Sequence, residues 1–187
     1  EEDDYQVQLL EDTITKPGDI YRLGDHLLIC GDSTDLMTVQ KLFSEGETAD
    51  LVVTDPPYNV AYHSKAGSIQ NDDMGDSEFY EFLHAAFNTM QEVMKPGGVF
   101  YIWHADSEGI NFRTAVRNSG LLCKQCLILV KNSLVLGRKD YQWQHEPCLY
   151  GWKPGAAHYF IDDRTQTTVI EDQHQEFRKM RKEELVK

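Results

Sequence analysis

Apolar residues recur at a spacing of three and four between residues 77 and 94, and this pattern predicts the clearest helix in the chain. Ser77 or Asp76 is the expected N-cap, and Lys95-Pro96-Gly97-Gly98 is expected to end the helix. The recurring positions are Phe79, Phe82, Leu83, Ala86, Met90, Val93 and Met94.

Two weaker patterns predict further helices. Gly31-Asp32-Ser33-Thr34 offers a turn and an N-cap for a short helix that runs to about Phe43. A longer helix is predicted from Ser107 to Asn118, because Gly120 follows it and provides a stop signal. A last helix is predicted for residues 173–187, where the chain ends before the pattern does.

Runs of apolar and β-branched residues predict six strands between these helices. Gly24-Asp25 separates the first two runs and predicts a hairpin. The third and fourth runs lack an alternating polar pattern, which is typical of strands covered on both faces. The six runs are 20–23, 26–30, 50–54, 99–103, 121–130 and 146–152.

Strands that alternate with helices over short connections predict an α/β fold with a largely parallel sheet. Ligands of such sheets bind at the carboxyl ends of strands. Three segments meet this condition: Gly31-Asp32, Thr54 to Asn59, and His104-Ala105-Asp106. The length of 187 residues corresponds to one domain, preceded by an acidic lead-in at residues 1–15.

The composition is that of a water-soluble globular protein, and by itself it excludes few classes of function. No apolar run approaches the roughly 20 residues that a membrane helix needs, and an acidic N-terminus is unlike a secretory signal. A cytoplasmic location is therefore expected. Cys123 and Cys126 have the spacing of half a zinc site, but no second pair stands at a matching interval. We expect no metal, and reduced cysteines packed in the core.

The net charge of −13 alone argues against nucleic-acid binding, but the charge is unevenly distributed. Residues 1–60 carry −11, whereas residues 121–187 carry +2. Contacts with phosphate are therefore expected in the last third of the chain.

Asp55-Pro56-Pro57-Tyr58 directly follows the 50–54 strand and is the strongest chemical signal. The two prolines fix two φ angles and remove two N–H donors, so this stiff corner can only accept hydrogen bonds. Asp55 and the Pro56 carbonyl can each accept one N–H of an amino group on a planar ring, while Tyr58 stacks on the ring. Two acceptors placed off the ring plane would turn the amine lone pair toward an electrophile. The alternative is a rigid turn that merely ends a strand.

Weaker candidates surround this corner. Residues 137–145 interleave cations and aromatic rings, so Arg138, Lys139 and Tyr141 are candidates for contacts with phosphates or an unstacked base. The alternative is a solvated loop. His104 is expected either to line the pocket or to be a hydrogen-bonded structural residue. Three further residues, Asn59, Tyr62 and His63, either close over a bound base or belong to a mobile loop that continues through the polar stretch 64–76.

These segments resemble the DPPY-type DNA amino-methyltransferases of prokaryotes and phages, in the permuted class whose catalytic motif precedes the donor-binding motif. The resemblance covers about residues 16–172. Its densest part is highly specific. The opening segments that match are Lys16-Pro17-Gly18-Asp19-Ile20, Leu23-Gly24-Asp25-His26, Cys30-Gly31-Asp32-Ser33-Thr34 and Thr54-Asp55-Pro56-Pro57-Tyr58-Asn59-Val60. The similarity continues in Lys95-Pro96-Gly97-Gly98, Trp103-His104-Ala105-Asp106, Val130-Lys131-Asn132, His145-Glu146-Pro147 and Asp163-Arg164-Thr165-Gln166.

The resemblance implies a Rossmann-like methyltransferase fold, double-stranded DNA as substrate and S-adenosylmethionine as methyl donor. Asp55, Pro56, Pro57 and Tyr58 would hold a flipped base, and Asp32 and Asp55 would lie near the donor. Aspartate at the first motif position favours transfer to adenine N6, with cytosine N4 as the alternative.

One family feature is missing from the chain. The Phe-x-Gly-x-Gly donor loop is not found, and the family's order places it beyond Lys187. We therefore expect an incomplete sheet with a gap or an exposed edge, which is a site for pairing with another copy. Weak or absent donor binding by this chain alone is also expected. A further alternative is a noncatalytic fragment that binds nucleic acid or protein.

Overall fold

A computed structural model describes residues 14–61, 63–64, 67–68 and 70–171 of the chain. The predicted C-terminal helix at 173–187 and nearly all of the acidic lead-in lie outside these ranges. In the described part, no helix has both the length and the apolar character needed to cross a bilayer.

The first two strands form the predicted hairpin. Strand β1 (Ile20–Leu23) pairs antiparallel with β2 (His26–Ile29), and Leu23 faces His26 across a two-residue turn. Gly24 takes a φ of 65° in this turn, a conformation that glycine adopts without steric cost. The hairpin is a separate two-stranded sheet.

Helix α1 (Leu36–Gln40) is shorter than predicted and begins later. Its cap is Asp35, whose carboxylate accepts from the Met37 backbone N–H at 3.1 Å and from the Thr38 hydroxyl at 2.6 Å. The prediction of a cap within Gly31–Thr34 was wrong, because Asp32 forms a local turn with Thr34 instead.

Most of the remaining chain builds a five-stranded sheet covered on one face by two helices. The elements follow in the order β3 (Ala49–Thr54), β4 (His63–Ser64), β5 (Gly67–Ser68), α2 (Asp76–Val93), β6 (Met94–Trp103), a 3₁₀ turn (Asp106–Glu108), α3 (Gly109–Asn118), β7 (Leu122–Val135), β8 (Trp143–Trp152) and β9 (Val169–Glu171). Strands β4 and β5 pair only with each other.

The strand order in the large sheet is β3-β6-β8-β7-β9. Strands β3 and β6 are parallel, as are β7 and β9, but β8 runs antiparallel to both of its neighbours. The expectation of a largely parallel sheet was therefore wrong for the second half of the sheet. The short connection 136–142 can only join antiparallel strands, since a parallel pair needs a longer crossover.

The boundary between α2 and β6 also differs from the prediction. Helix α2 begins with Gly75 at the N-cap, and the Asp76 carboxylate accepts from the Asn111 side chain at 2.8 Å instead of capping. Helix α2 ends at Val93, just before Lys95-Pro96-Gly97-Gly98 as predicted, but this segment lies inside β6, which begins earlier than expected. Between the pairs Ala49–Met94 and Leu51–Val99, β6 carries extra residues as a bulge.

The core lies between the sheet and the pair α2 and α3. Side chains from β6 and β8 that point toward the helices interlock with aromatic and aliphatic side chains of both helices. Cys123 and Cys126 pack against this cluster, and Cys148 is buried. The cluster contains Phe79, Leu83, Phe87, Met90, Met94, Phe100, Ile102, Phe112, Ala115, Val116, Leu121 and Leu149.

Strand β3 forms one edge of the large sheet, and it is not covered on both faces as its apolar run had predicted. Val52 packs toward the core, whereas Leu51 is 50% exposed and Val53 is 62% exposed. Within the described ranges, β3 pairs with β6 alone. One edge and one face of this strand are therefore open.

Candidate functional site

The corner Asp55-Pro56-Pro57-Tyr58 follows β3, at the carboxyl end of this edge strand. Asp55 is exposed, and Pro56, Pro57 and Tyr58 are half-buried. The Tyr58 hydroxyl donates to Asp55 Oδ1 at 2.5 Å. Partial burial, together with this hydrogen bond, raises the pKa of Tyr58, so its ring stays an uncharged phenol. The corner thus joins one carboxylate to one neutral aromatic ring.

A buried carboxylate, that of Asp72, forms hydrogen bonds with the backbone of the corner. Asp72 is 3% exposed, and its Oδ1 accepts from the backbone N–H groups of Tyr58 at 3.0 Å and Val60 at 3.3 Å. The Asp72 carbonyl accepts from the Ala61 N–H at 2.6 Å. These bonds connect the corner to a segment 14 residues further along the chain.

Asn59 completes this bracing. Its side chain donates to the Met74 carbonyl at 3.2 Å and accepts from the Met74 N–H at 2.6 Å. Asn59 has a φ of 56° and Ala61 a φ of 50°, a left-handed conformation that costs free energy in an alanine. Residues keep such a backbone conformation only where neighbouring contacts fix it. The hydrogen bonds to Asp72 and Met74 therefore hold this turn in one defined conformation.

A cleft of about 560 Å³ opens beside the corner. We call it the hairpin cleft, because the β7–β8 hairpin forms one of its walls. Tyr58, Asn59 and His104 contribute to the opposite wall. The hairpin wall consists of Lys131, Val135, Lys139, Trp143, His145, Glu146 and Pro147. The cleft therefore combines aromatic rings with charged and polar groups, a composition that suits a planar polar ligand.

His104 forms a buried part of the hairpin cleft. It follows β6, is 1% exposed and packs its ring against Phe112 at 5.2 Å between centroids. Burial, reinforced by the charge of Arg113 and opposed by nearby carbonyls, lowers the pKa of His104 to about 4. The imidazole is consequently neutral near pH 7.

A second cavity, of about 520 Å³, lies on the other side of Asp55 between α1, β3 and α2. We call it the α1–α2 cavity. Ser33, Thr54 and Asp55 provide polar groups at this cavity, and most of the rest of its lining is apolar. Asp55 lines the α1–α2 cavity and Tyr58 lines the hairpin cleft. The hydrogen-bonded pair that they form therefore lies at the boundary between the two cavities.

The structure brings several of the predicted site residues together and leaves others apart. Asn59, His104 and Lys139 line the hairpin cleft with Tyr58. Asp32 is exposed and accepts from Thr34 twice at 2.8 Å, and it is the neighbouring Ser33 that lines the α1–α2 cavity.

Arg138 and Tyr141 lie at the exposed tip of the β7–β8 hairpin and do not line the hairpin cleft. Tyr141 is 91% exposed. Tyr62 lies outside the described residues, and His63 belongs to the short strand β4.

Two features of the site are not apparent from the amino-acid sequence. Asp72 falls in the polar stretch that was assigned to a loop, and only its burial reveals its role. Lys131 and Glu146 form an ion pair on the hairpin wall, each about one-third exposed. Their diagonal contact across β7 and β8, where Glu146 faces Leu129, depends on strand register, which short-range sequence patterns do not specify.

The geometry is suited to binding an amine on a planar ring. The corner offers the Asp55 carboxylate and the Pro56 carbonyl as acceptors and has no N–H at either proline. Tyr58 and Trp143 supply ring faces at the hairpin cleft, and stacking on such rings contributes about 1–3 kcal/mol per base. A group entering from the α1–α2 cavity would meet the same carboxylate from the other side.

Comparisons with known proteins identify the family of the chain. A family model described as DNA methylase, of the N6/N4 methyltransferase type, matches residues 49–186. The Type II methyltransferase M.HpaI of Haemophilus parainfluenzae is 32% identical over 79 residues, which make up 42% of this chain and 23% of that protein.

Solved structures show the same fold. A protein from Thermus thermophilus described as a DNA modification methylase has a TM-score of 0.52 at 19% identity, covering 76% of this chain and 65% of that one. M1.HpyAVI has a TM-score of 0.50 at 14% identity, covering 75% and 63%. The chain thus spans less than two thirds of each of these relatives. It has the Rossmann-like α/β fold of these methyltransferases.

Proposed function

The chain belongs to the DNA methylase family of N6/N4 methyltransferases, and we propose that it transfers a methyl group from S-adenosylmethionine to the exocyclic N6 of a flipped adenine in double-stranded DNA. The setting would be a restriction–modification system or a phage, in the cytoplasm of a prokaryotic cell. The observation that carries the proposal is the Asp55–Tyr58 pair, which stands at the end of an edge strand and faces a different cavity on each side.

In the proposed reaction the base enters the hairpin cleft, and its exocyclic amine reaches past Tyr58 to Asp55 and Pro56, which line the α1–α2 cavity. Asp55 and the Pro56 carbonyl accept the two N–H bonds of the exocyclic amine, while the Tyr58 ring stacks on the base. The conjugated lone pair of a planar amine is a poor nucleophile. Acceptors displaced from the ring plane favour a pyramidal nitrogen, whose lone pair then points toward the α1–α2 cavity.

The residues at the α1–α2 cavity fit part of a methyl donor. S-Adenosylmethionine supplies a methyl group made electrophilic by its sulfonium. Ser33 and Asp55 would hold it at the polar end of the cavity, with Asp32 one residue away. The apolar walls, including Phe43 and Phe82, suit the nonpolar faces of such a ligand. Asp55 would thereby contact the amine and the positive donor together.

The hairpin tip is the proposed contact with DNA. Arg138 and Lys139 lie near the exposed Tyr141 at the tip of the β7–β8 hairpin. Other residues of the same hairpin line the hairpin cleft. Cations bind the phosphates, and an exposed ring stacks on an unpaired base. This placement agrees with the positive charge balance of the last third of the chain.

Methylation by the whole protein tests the proposal, with the product nucleoside identified by mass spectrometry. We expect N6-methyladenine. N4-methylcytosine would reassign the substrate to cytosine, and no methylated base would reject the enzymatic proposal in favour of a noncatalytic binding fragment. Asp55→Ala is expected to lower transfer by about 10²–10³-fold with a far smaller change in donor affinity. Asp50→Ala, on the strand that precedes Asp55, is the matched control.

Donor binding by the 187-residue chain alone is a separate question. We propose that it is weak or absent, because the family's Gly-rich donor loop is not found in the sequence. Isothermal titration calorimetry of this chain and of the whole protein should show a clear difference in affinity. Equal affinities would show that the α1–α2 cavity holds the donor without further residues.

A further inference from the structure

The loop at the end of the β7–β8 hairpin exposes large apolar side chains to solvent. The hairpin tip comprises residues 136–142, which follow the last pair of the two strands, Val135 and Trp143. Within the tip, Leu136 is 85% exposed and Tyr141 is 91% exposed. Val135 and Trp143 are exposed as well, at 52% and 40%. Single exposed apolar residues are ordinary, but several at the end of one hairpin form a patch that suits contact with another molecule.

Hydrogen bonds within the hairpin tip hold it in a defined conformation. The Gln142 side chain accepts from the Gly137 N–H at 2.6 Å and donates to the Lys139 carbonyl at 2.7 Å. Gln142 is half-buried, whereas the other residues of the tip are exposed. Apolar groups on a loop that is already ordered lose less conformational entropy on binding, which favours a direct role in recognition.

Positive charge lies among the apolar groups of the hairpin tip. Arg138 and Lys139 outnumber the carboxylate of Asp140, in a chain whose net charge is −13. Cations beside apolar groups match a nucleic-acid duplex, in which phosphates surround the stacked bases. The centres of interfaces between proteins are depleted of lysine. The tip therefore fits a duplex better than it fits a protein partner.

The hairpin tip adjoins the cleft proposed for the flipped base. Val135, Lys139 and Trp143 line the hairpin cleft, and Leu136 follows Val135 directly along the chain. A base that leaves the duplex opens a gap between the base pairs that flanked it. One nucleotide's sugar and phosphates connect the flipped base to that gap. The part of the protein next to the cleft is therefore the part that faces the gap.

We propose that the hairpin tip is a wedge that enters the duplex at the position vacated by the target base. This inference rests on the proposed function, since it takes the same duplex and the same flipped base. The Tyr141 ring stacks on the partner base that flipping leaves unpaired, and Leu136 fills the rest of the gap. Arg138 binds a phosphate that flanks the gap.

A wedge of this kind stabilises the open duplex and not the intact one. Extrusion of a base removes its stacking on both neighbours, which is the main cost of flipping. Leu136 and Tyr141 replace part of that stacking and leave water only when the gap exists. Their contribution to binding is therefore specific to a duplex with a vacated position.

Binding to a duplex that already contains the gap tests the inference without a methyl donor. One short duplex carries a central abasic site opposite 2-aminopurine, and a second duplex of the same sequence carries thymine at that site. At low ionic strength we expect the 187-residue chain to bind the abasic duplex about tenfold more tightly than the paired one. The 2-aminopurine fluorescence should fall on binding, because the inserted ring stacks on that base.

Variants assign the preference to the hairpin tip. The double variant Leu136→Ser with Tyr141→Ser should bind the two duplexes equally, with an affinity for the paired duplex within about twofold of the wild type. Tyr141→Ser alone should abolish the fluorescence change. Ile110→Ser and Tyr159→Ser, at residues that are 83% and 78% exposed outside the hairpin, are matched controls and should keep the full preference.

Equal affinity of the wild type for the two duplexes, or no binding to either, would overturn the inference. A full preference for the abasic duplex in the double variant would do the same. Loss of self-association in the double variant, with an unchanged preference, would assign the tip to a contact between proteins. These results would leave methyl transfer by the whole protein intact, whereas a wild-type preference without any methylated product would reject only the proposed reaction.

Discussion

At the scale of single residues, Asp72 shows how a side chain behind the site shapes it. It accepts two backbone N–H groups of the corner while itself remaining buried. Asp72→Ala would leave those N–H groups without their carboxylate, and we expect a loss of about 2–3 kcal/mol in the free energy of unfolding. Urea denaturation of the wild type and the variant measures this loss.

Two comparisons make the Asp72 prediction specific. Asp72→Asn keeps an acceptor oxygen and should recover part of the stability. Asp73→Ala removes the exposed neighbouring carboxylate and should change stability by less than about 0.5 kcal/mol. Equal effects of Asp72→Ala and Asp73→Ala would show that the corner does not depend on this carboxylate.

The pKa of His104 gives the stability of the fold a defined pH dependence. The pKa falls from 6.5 to about 4 on folding, so the unfolded chain binds the proton more readily. The contribution of neutral, buried His104 to the free energy of unfolding is fully present above pH 6.5, and it is lost as the pH falls toward 4. At about 1.4 kcal/mol per pKa unit, the loss attributable to His104 is at most about 3 kcal/mol.

Urea denaturation at several pH values between 6.5 and 4.5 measures this dependence. Carboxylates also titrate in this range, so the contribution of His104 is the difference between the wild type and His104→Gln. The wild type should lose more stability than the variant as pH falls. Parallel curves for the two proteins would show that His104 is not held neutral by the fold.

At the scale of elements, helix α2 ends against a lysine supplied by a distant strand. The ammonium of Lys153, one residue after β8, donates to the carbonyls of Gln91 at 2.7 Å and Met94 at 2.9 Å. The last turn of α2 contains no basic residue of its own. Lys153 therefore satisfies carbonyls that lack partners within the helix and places a positive charge at its C-terminus.

Replacement of this lysine tests its contribution. Lys153→Met keeps most of the aliphatic chain and removes the charge, and we expect a loss of about 1–2 kcal/mol in the free energy of unfolding. Lys41→Met, at an exposed lysine that follows α1, is the control and should have little effect. Thermal unfolding followed by circular dichroism at 222 nm measures both, and equal melting temperatures for the two variants would contradict the assignment.

Local patterns predicted the elements whose causes are local. The Gly24-Asp25 turn, the apolar spacing of α2 and the stop at Gly120 each act over a few residues, and each predicted element is present. Strand β9 was missed, because three residues carry no distinctive period and become a strand only by pairing with β7. The length of β7 was underestimated for the same reason, since its last residues depend on β8.

The residues of the candidate site likewise fall into those placed by local sequence and those placed by long-range contacts. Asp55 to Tyr58 was predictable because the prolines dictate the local backbone, and the nearby position of His104 followed from the parallel pairing of β3 and β6. Asp72 and the ion pair of Lys131 and Glu146 were not predictable, since each depends on contacts between distant segments.

At the scale of the whole molecule, the open edge of β3 is the feature with the largest expected effect on association between copies of the chain. The described part of the chain leaves one row of β3 backbone groups without a neighbouring strand, beside the exposed side chains of Leu51 and Val53. The β1–β2 hairpin forms its own sheet and does not extend this one. Exposed apolar edge strands tend to pair with other chains, while the net charge of −13 opposes close approach of two copies.

The balance of these two effects would decide whether the 187-residue chain associates with itself, and we predict that it does. We expect its mass to rise with protein concentration in sedimentation experiments, and to rise further at higher ionic strength, because salt screens the repulsion while the edge remains available. Val53→Lys places a charge on the edge strand and should keep the chain monomeric. Ile110→Lys removes a comparably exposed apolar side chain on α3 and should associate like the wild type. If Val53→Lys associated as strongly as Ile110→Lys, the contact between copies would lie elsewhere than β3.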